Sequence, residues 1–296
     1  GMTETPHIPV MLDNVMAALA PHDGAIYVDG TFGAGGYSRA FLEAADCTVV
    51  AIDRDRAALD AGESLRKVYG RRLMLVHGCF GDALTLVRSA GFESVDGFVL
   101  DVGVSSMQID RAERGFSFRY DAPLDMRMDR DGNGPTAADM VNTLTEKDLA
   151  DVIYRYGEER HSRRIARHIV AARTEAPIET TGRLADIVRA AMPKVGKDKI
   201  DPATRTFQAL RIAVNDELGE LERALEAAEH LLAEGGRLVV VSFHSLEDSI
   251  VKKFLRERSG QQGRGSRYLP DAQDDRDVPT FALPSRKAVF PSEAEM

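Results

Sequence analysis

Five apolar runs punctuate the chain, at 26–28 (IYV), 47–52 (CTVVAI), 72–77 (RLMLVH), 95–100 (VDGFVL) and 237–243 (RLVVVSF). Short, nearly continuous apolarity marks a strand covered on both faces, as in a parallel sheet. Between the runs, apolar residues recur at helical spacing over 10–19, 37–45 and 57–69, and another helical stretch precedes the fourth run. Strands alternating with helices predict a doubly wound, Rossmann-like parallel α/β sheet. The first four runs give way to loops at 29, 53, 78 and 101, so these loops are expected to converge on one crevice at the carboxyl ends of the strands.

The rhythm changes after 107. Residues 114–120 (RGFSFRY) alternate aromatic and polar side chains, 123–131 are rich in turn formers, and helical patterns follow over 147–156, 159–174 and 181–192. This predicts an all-helical insertion at 107–204, flanked by sheet-domain halves 1–106 and 205–296. A long amphipathic helix is expected over 207–233, with Gly235-Gly236 as its stop. The sheet then resumes at 237–243, a helix runs from His244 to about Arg258, and a last strand is expected near 281–290.

The first strand runs straight into DGTFGAGGYS (29–38), with glycines at 30, 33, 35 and 36. Such a loop turns sharply and lets a ligand approach where a Cβ would block it. The following helix offers unpaired N–H groups. Asp53 ends the second run about 20 residues past the first loop glycines, the spacing at which an acidic residue meets ribose hydroxyls. The order D-G-T-x-G-x-G-G departs from the dinucleotide form G-x-G-x-x-G and suits S-adenosylmethionine, which has no pyrophosphate for the helix to hold. Phe80, after the third strand, is placed to lie against adenine.

Composition narrows the field without deciding it. The net charge is −9, but residues 154–214 hold 13 Lys/Arg against 7 Asp/Glu, a local +6 inside a remainder of −15. That asymmetry fits a localised polyanion footprint or a solvated helix face. No apolar run approaches membrane-spanning length and no charged-then-apolar leader opens the chain, which predicts a cytoplasmic protein. Cys47 and Cys79 lack metal-ligand spacing.

Asp101, at the end of the fourth strand, is the candidate for chemistry, since that position lies beside the transferable methyl in methyltransferase folds. A carboxylate there can hold and rehybridise an exocyclic amine whose lone pair is delocalised into a base. Common amino-methyltransferases carry an Asp/Asn-Pro-Pro-aromatic run here; this chain reads DVGVSS. His244 sits at a strand end on the same crevice as a candidate substrate contact, while Ser245 and Asp248 have the spacing of a capping box. Arg114, Phe116, Phe118 and Arg119 offer a stack-and-clamp for a displaced base, or else a strand over the insertion's core. Arg205 and Arg211 offer phosphate contacts.

Long blocks of the chain resemble the bacterial 16S rRNA cytosine-N4 methyltransferase family (RsmH, formerly MraW). They include HIPVML (7–12), YVDGTFGAGGYS (27–38), AIDRD (51–55), DVGVSS (101–106), AERGFSF (112–118), PLDMRMD (123–129), YGEERHSRRIARHIV (156–170), PATRTFQALRIAVNDEL (202–218) and GGRLVVVSFHSLED (235–248). The resemblance implies S-adenosylmethionine-dependent methylation of N4 of a decoding-region (P-site) cytidine, by a sheet domain interrupted by a helical one. It implies cofactor contacts from Gly35, Gly36, Tyr37, Asp53, Phe80, Asp101 and Gln108, to which the loop reading adds Gly33. Position 37 is often His in the family. Arg114, Phe116, Phe118, Arg205, Arg211 and Ser245 are expected on the substrate, with Asp101 and His244 catalytic. The expected partners are 16S rRNA and the small ribosomal subunit, with a homodimer allowed and neither membrane nor metal involved. Two other readings stand: a nicotinamide-dependent oxidoreductase using the same loop, and a non-catalytic RNA-binding or assembly protein with a vestigial pocket.

Overall fold

The computed structural model describes residues 12–102, 114–193, 200–242 and 244–259. Its strands are β1 (Ile26–Asp29), β2 (Thr48–Asp53), β3 (Leu73–His77), β4 (Val95–Asp101) and β5 (Leu232–Val241). Its helices are α1 (Leu12–Leu19), α2 (Gly36–Ala44), α3 (Arg56–Tyr69), α4 (Ala83–Ser89), α5 (Ala137–Thr143), α6 (Glu146–Gly157), α7 (Ser162–Glu175), α8 (Thr181–Ala191), α9 (Thr204–Val214), α10 (Glu217–Leu231) and α11 (Ser245–Arg258). Two compact units emerge, Gly1–Gly103 with Leu218–Met296, and Val104–Glu217.

The first unit holds all five strands, every pair parallel, in the order β3-β2-β1-β4-β5. The strand order reverses between β1 and β4, which makes their carboxyl ends the switch point where ligands bind in such sheets. Strand parity sorts the core into two layers. Val28, Val50, Ile52, Phe98, Leu100, Leu238 and Val240 pack with α4, α10 and α11. Tyr27, Val49, Ala51, Val99, Val239 and Val241 pack with α1, α2 and α3. Truncating one central member such as Phe98 to Ala would cost about 3–5 kcal/mol, because both sides are filled.

The second unit, described separately, is helical. Leu149, Ile153, Ile165, Ile169, Leu184, Val188, Phe207 and Leu210 form its core, with 0–3 % exposure. Thus α9, whose residues the sequence reading grouped with the sheet half, contributes Phe207 and Leu210 to the helical core.

Three local expectations are corrected. The helix expected over 207–233 is two helices, broken where Asp216 adopts φ 48°. Asn215 makes the break stable: buried, it donates to the carbonyls of Met126 and Arg211 at 2.9 Å and accepts from the Met128 N–H at 2.8 Å. Gly235-Gly236 is not a helix stop but part of β5, where the partners of Val95 and Gly97 jump from Leu232 to Arg237 and Gly235 takes φ 80°. Residues 114–120 form no strand; their alternation buries Phe116 and packs Phe118 edge-on against Phe207 at 4.9 Å. The strand expected near 281–290 lies outside the described residues. No helix among the described residues is long and apolar enough to cross a membrane.

Candidate functional site

Three adjacent strands of the sheet unit each end on an aspartate. In register, Asp29 pairs with Ala51 and with Val99, so Asp53 and Asp101 each lie two residues further along a neighbouring strand. Equal parity puts all three on the sheet face covered by α1, α2 and α3.

The glycine loop is bound to these carboxylates. The Asp29 side chain, fully buried, accepts from Ser38 Oγ at 2.7 Å and from the Thr31 N–H at 3.2 Å. Oδ2 of Asp53 accepts from the Gly33 N–H at 2.7 Å, and Oδ1 accepts from the Asp55 N–H at 2.8 Å. Oδ2 of Asp101 accepts from the Tyr37 hydroxyl at 3.1 Å, while the Asp101 N–H donates to Thr31 Oγ1 at 2.7 Å. Gly33 and Gly35 take φ 53° and 83°, a region side chains rarely enter, and Gly35 is the N-cap of α2. A Cβ on Gly35 would press the Phe32 ring at 3.0 Å, and one on Gly30 would meet Leu100 Cδ2 at 2.5 Å.

So much carboxylate in so little water shifts proton equilibria. Burial lifts Asp29 to about 7 against the opposing bonds from Ser38 and Thr31, and the charges of Asp53 and Asp101 add to the rise. Asp53 is lifted to about 6 by burial, opposed by the Asp55 and Gly33 N–H groups. Asp101 is also lifted to about 6 by burial, opposed by the Tyr37 hydroxyl. The Tyr37 phenol is pushed well above its ordinary range by burial first, then by the Asp101 charge. Three carboxylates held above their usual range at a switch point suit a cationic ligand, whose charge would restore their ionisation.

Phe80 opens the short 3₁₀ turn Phe80–Asp82 after β3 and packs partly buried against the sheet core. Glu220 of α10 braces that turn by accepting from the Gly81 N–H at 2.9 Å and from Arg223 at 2.8 Å. Sequence reading gave Asp29 and Thr31 only as letters of the D-G-T-x-G-x-G-G pattern, and it gave Ser38 and Glu220 no role. His244 caps α11, with Nδ1 accepting from the Leu246 N–H at 3.2 Å. The cap is therefore His244 rather than Ser245, which is exposed on the first turn. The acid three residues past the cap is Glu247, buried and accepting from Ser242 Oγ at 2.9 Å. Gln108 lies outside the described residues.

The structure thus brings Gly33, Gly35, Gly36, Tyr37, Asp53 and Asp101 together. Phe80, His244 and Ser245 also lie in the sheet unit, whereas Arg114, Phe116, Phe118, Arg205 and Arg211 belong to the helical unit, where Arg114 is 4 % exposed and donates to the Met128 carbonyl at 2.8 Å. Phe116 is 8 % exposed in the core, Arg205 is exposed and donates to the Glu158 carbonyl at 2.9 Å, and Arg211 pairs with Glu217 at 2.9 Å. Among the described residues no group of His, Cys, Asp and Glu side chains forms a metal site.

Known proteins are similar in sequence across nearly the full chain. The pattern that defines the MraW methylase family matches residues 4–296. A ribosomal RNA small subunit methyltransferase H from Paramagnetospirillum magneticum is 59 % identical over 294 residues, spanning 99 % of this chain and 92 % of that protein. Proteins of the same name from Rhodospirillum rubrum and Parvibaculum lavamentivorans are 58 % and 57 % identical, over 98 % and 99 % of this chain and 89 % and 85 % of theirs. With its glycine loop, its strand-end aspartates and its full-length match, the chain belongs to the MraW methylase family.

Proposed function

We propose that this protein is a cytoplasmic, S-adenosylmethionine-dependent methyltransferase acting on the N4 amino group of a decoding-region cytidine in 16S rRNA. The observation that carries the reading is the row Asp53, Asp29, Asp101 beneath the glycine loop in a methylase-family chain.

The residues fit such a cofactor. The positive-φ glycines set the turn of the loop, and a Cβ at Gly35 would strike the Phe32 ring on which the loop rests. The Asp53 carboxylate has lone pairs beyond its two N–H partners for ribose hydroxyls. Phe80 offers an aromatic face for adenine on the turn braced by Glu220. Gly36 and Tyr37 begin the helix whose N–H groups would hold the amino-acid carboxylate. When bound, S-adenosylmethionine supplies a methyl carbon activated by its sulfonium.

The chain's own part is to hold the acceptor. The N4 lone pair of cytosine is delocalised into the ring, so nucleophilicity rises when an acceptor holds N4–H and lets the nitrogen pyramidalise. Asp101, lifted only to about 6, is mostly ionised at pH 7.5 and suits that role. It also accepts the proton that N4 releases as its new bond forms. Nδ1 of His244 accepts from the Leu246 N–H, which fixes the ring at the start of α11, and in this reading His244 is a substrate contact. Exposed Arg205 and Ser245 are substrate contacts in this reading. Arg114, Phe116, Phe118 and Arg211 support the surface that RNA meets. Arg163, Arg164 and Arg167 of α7 are exposed and make no ion pair among the described residues, a ready phosphate footprint.

The test is to incubate the protein with labelled donor and small subunits lacking the modification, then map the methylated nucleotide. A label on a cytidine N4 is expected, with loss of nearly all label for Asp101→Ala. Undiminished methylation by Asp101→Ala overturns the catalytic assignment, and no label with any small subunit favours the non-catalytic assembly reading.

A further inference from the structure

The contact between Tyr37 and Asp101 joins residues 64 positions apart, and the burial of the phenol makes it more than incidental. Tyr37 is 2 % exposed within the layer of Phe41, Val49 and Val99, where a phenylalanine would pack as well without a hydroxyl to satisfy. The hydroxyl is spent on one oxygen of one carboxylate. Asp101 is held at both ends: its N–H by Thr31 Oγ1 at 2.7 Å, its Oδ2 by Tyr37 at 3.1 Å. Among the described residues, Oδ1 accepts no hydrogen bond.

We propose that Tyr37 is a positioning residue for methyl transfer: by donating to Oδ2 it fixes the rotation of the Asp101 carboxylate and leaves Oδ1 to accept from the acceptor amine. This rests on the reading of Asp101 given above. A carboxylate with a free torsion would sample orientations in which neither oxygen meets the amine, and small misplacements of such a group are costly to rate. The same bond favours the ionised form. The groups that face Asp101 agree with this: Tyr37 on α2 donates, Asp29 on β1 adds like charge, and its partner on β5 is the apolar Val241. Tyr37 is thus the described side chain that opposes protonation of Asp101.

The experiment uses the full chain and the variants Tyr37→Phe, Tyr37→His and Asp101→Ala. The Asp101 carboxyl carbon is titrated by ¹³C NMR without donor, and kcat, donor KM and the pH profile of kcat are measured with small subunits. Tyr37→Phe, which preserves shape, is expected to raise the Asp101 midpoint by about one unit. It should lower kcat about tenfold and move the acid limb of the profile the same way, with donor KM changed less than about threefold. Tyr37→His, which retains an N–H donor, is expected to recover part of kcat. A Tyr37→Phe protein with the wild-type midpoint, or with full kcat and an unmoved pH profile, overturns the proposal while leaving Asp101 in its role if Asp101→Ala is inactive. Full activity in Asp101→Ala removes both readings together.

Discussion

Ser38 gives its hydroxyl hydrogen to Oδ2 of Asp29 across 2.7 Å, with both residues wholly out of water. The bond ties the first turn of α2 to the end of β1, so the glycine loop is clamped at both ends rather than draped over the sheet. That carboxylate is costly when charged, since burial and two like neighbours lift it from 3.8 to about 7.

The sign of its effect on stability follows from that lift. Between 3.8 and about 7 the folded protein holds a proton that the unfolded chain has released. The contribution of Asp29 is therefore complete below the unfolded value and is lost as pH rises through about 7. Asp29→Asn has no proton to lose. Its melting temperature relative to wild type should rise between pH 5 and pH 8, by about 2 kcal/mol or roughly 4–8 °C. A difference that stays flat with pH in thermal melts counts against the buried carboxylate as the cause.

Donor binding should show the opposite trend. In the proposed site Asp53 and Asp101, each lifted to about 6, would have to ionise to meet ribose hydroxyls and a sulfonium cation. Calorimetric titration with S-adenosylmethionine should give weaker binding below pH 6, by up to about tenfold per pH unit for each carboxylate. Asp53→Asn should bind about 10–100-fold more weakly at pH 7.5, the loss of one charged hydrogen-bonding group. Unchanged affinity in that variant would place the ribose elsewhere.

Gly35 is a test of the loop itself. Alanine there must take φ 83° and push its methyl against the Phe32 ring at 3.0 Å, which is also packed on Gly62. The left-handed conformation costs about 1–2 kcal/mol and the overpacking about 1–3 kcal/mol more. Gly35→Ala should lower the melting temperature and reduce donor affinity at least tenfold, whereas Gly24→Ala, at φ 79° with open space around it, should cost only the backbone part. Equal effects at the two positions would show that only the backbone angle matters.

What the sequence made legible was whatever a local pattern can encode. The parallel sheet followed from apolar runs, and Asp53 followed from its spacing to the glycines; it lies 20 residues from its partner Gly33. Tyr37 with Asp101, and Gly81 with Glu220, are 64 and 139 residues apart. Such pairs exist only once strand order and parity bring them together, so no window along the chain contains them. The break at Asn215-Asp216 was hidden for another reason. It uses neither Gly nor Pro, and its stability comes from tertiary bonds to Met126 and Met128. By contrast α5 was readable: Thr136 and Asp139 form a reciprocal capping box, a purely local signal that went unused.

The arginines of α7 separate RNA binding from chemistry. Arg163 and Arg164 lie in the first turn of the helix, where the macrodipole disfavours positive charge, and no acidic residue accompanies them there. A bound polyanion would supply the counter-charge that the turn lacks. Replacing both by Glu would remove the proposed phosphate contacts without touching the helical core, because Ile165, Ala166 and Ile169 carry the packing. The double variant should melt at or above the wild-type temperature and bind donor normally. Its small-subunit affinity should fall at least tenfold at 100 mM salt, and the slope of log affinity against log salt should become shallower by about 1–2. A wild-type salt slope would mean that the basic face of α7 is a solvated surface and that RNA is held by other residues.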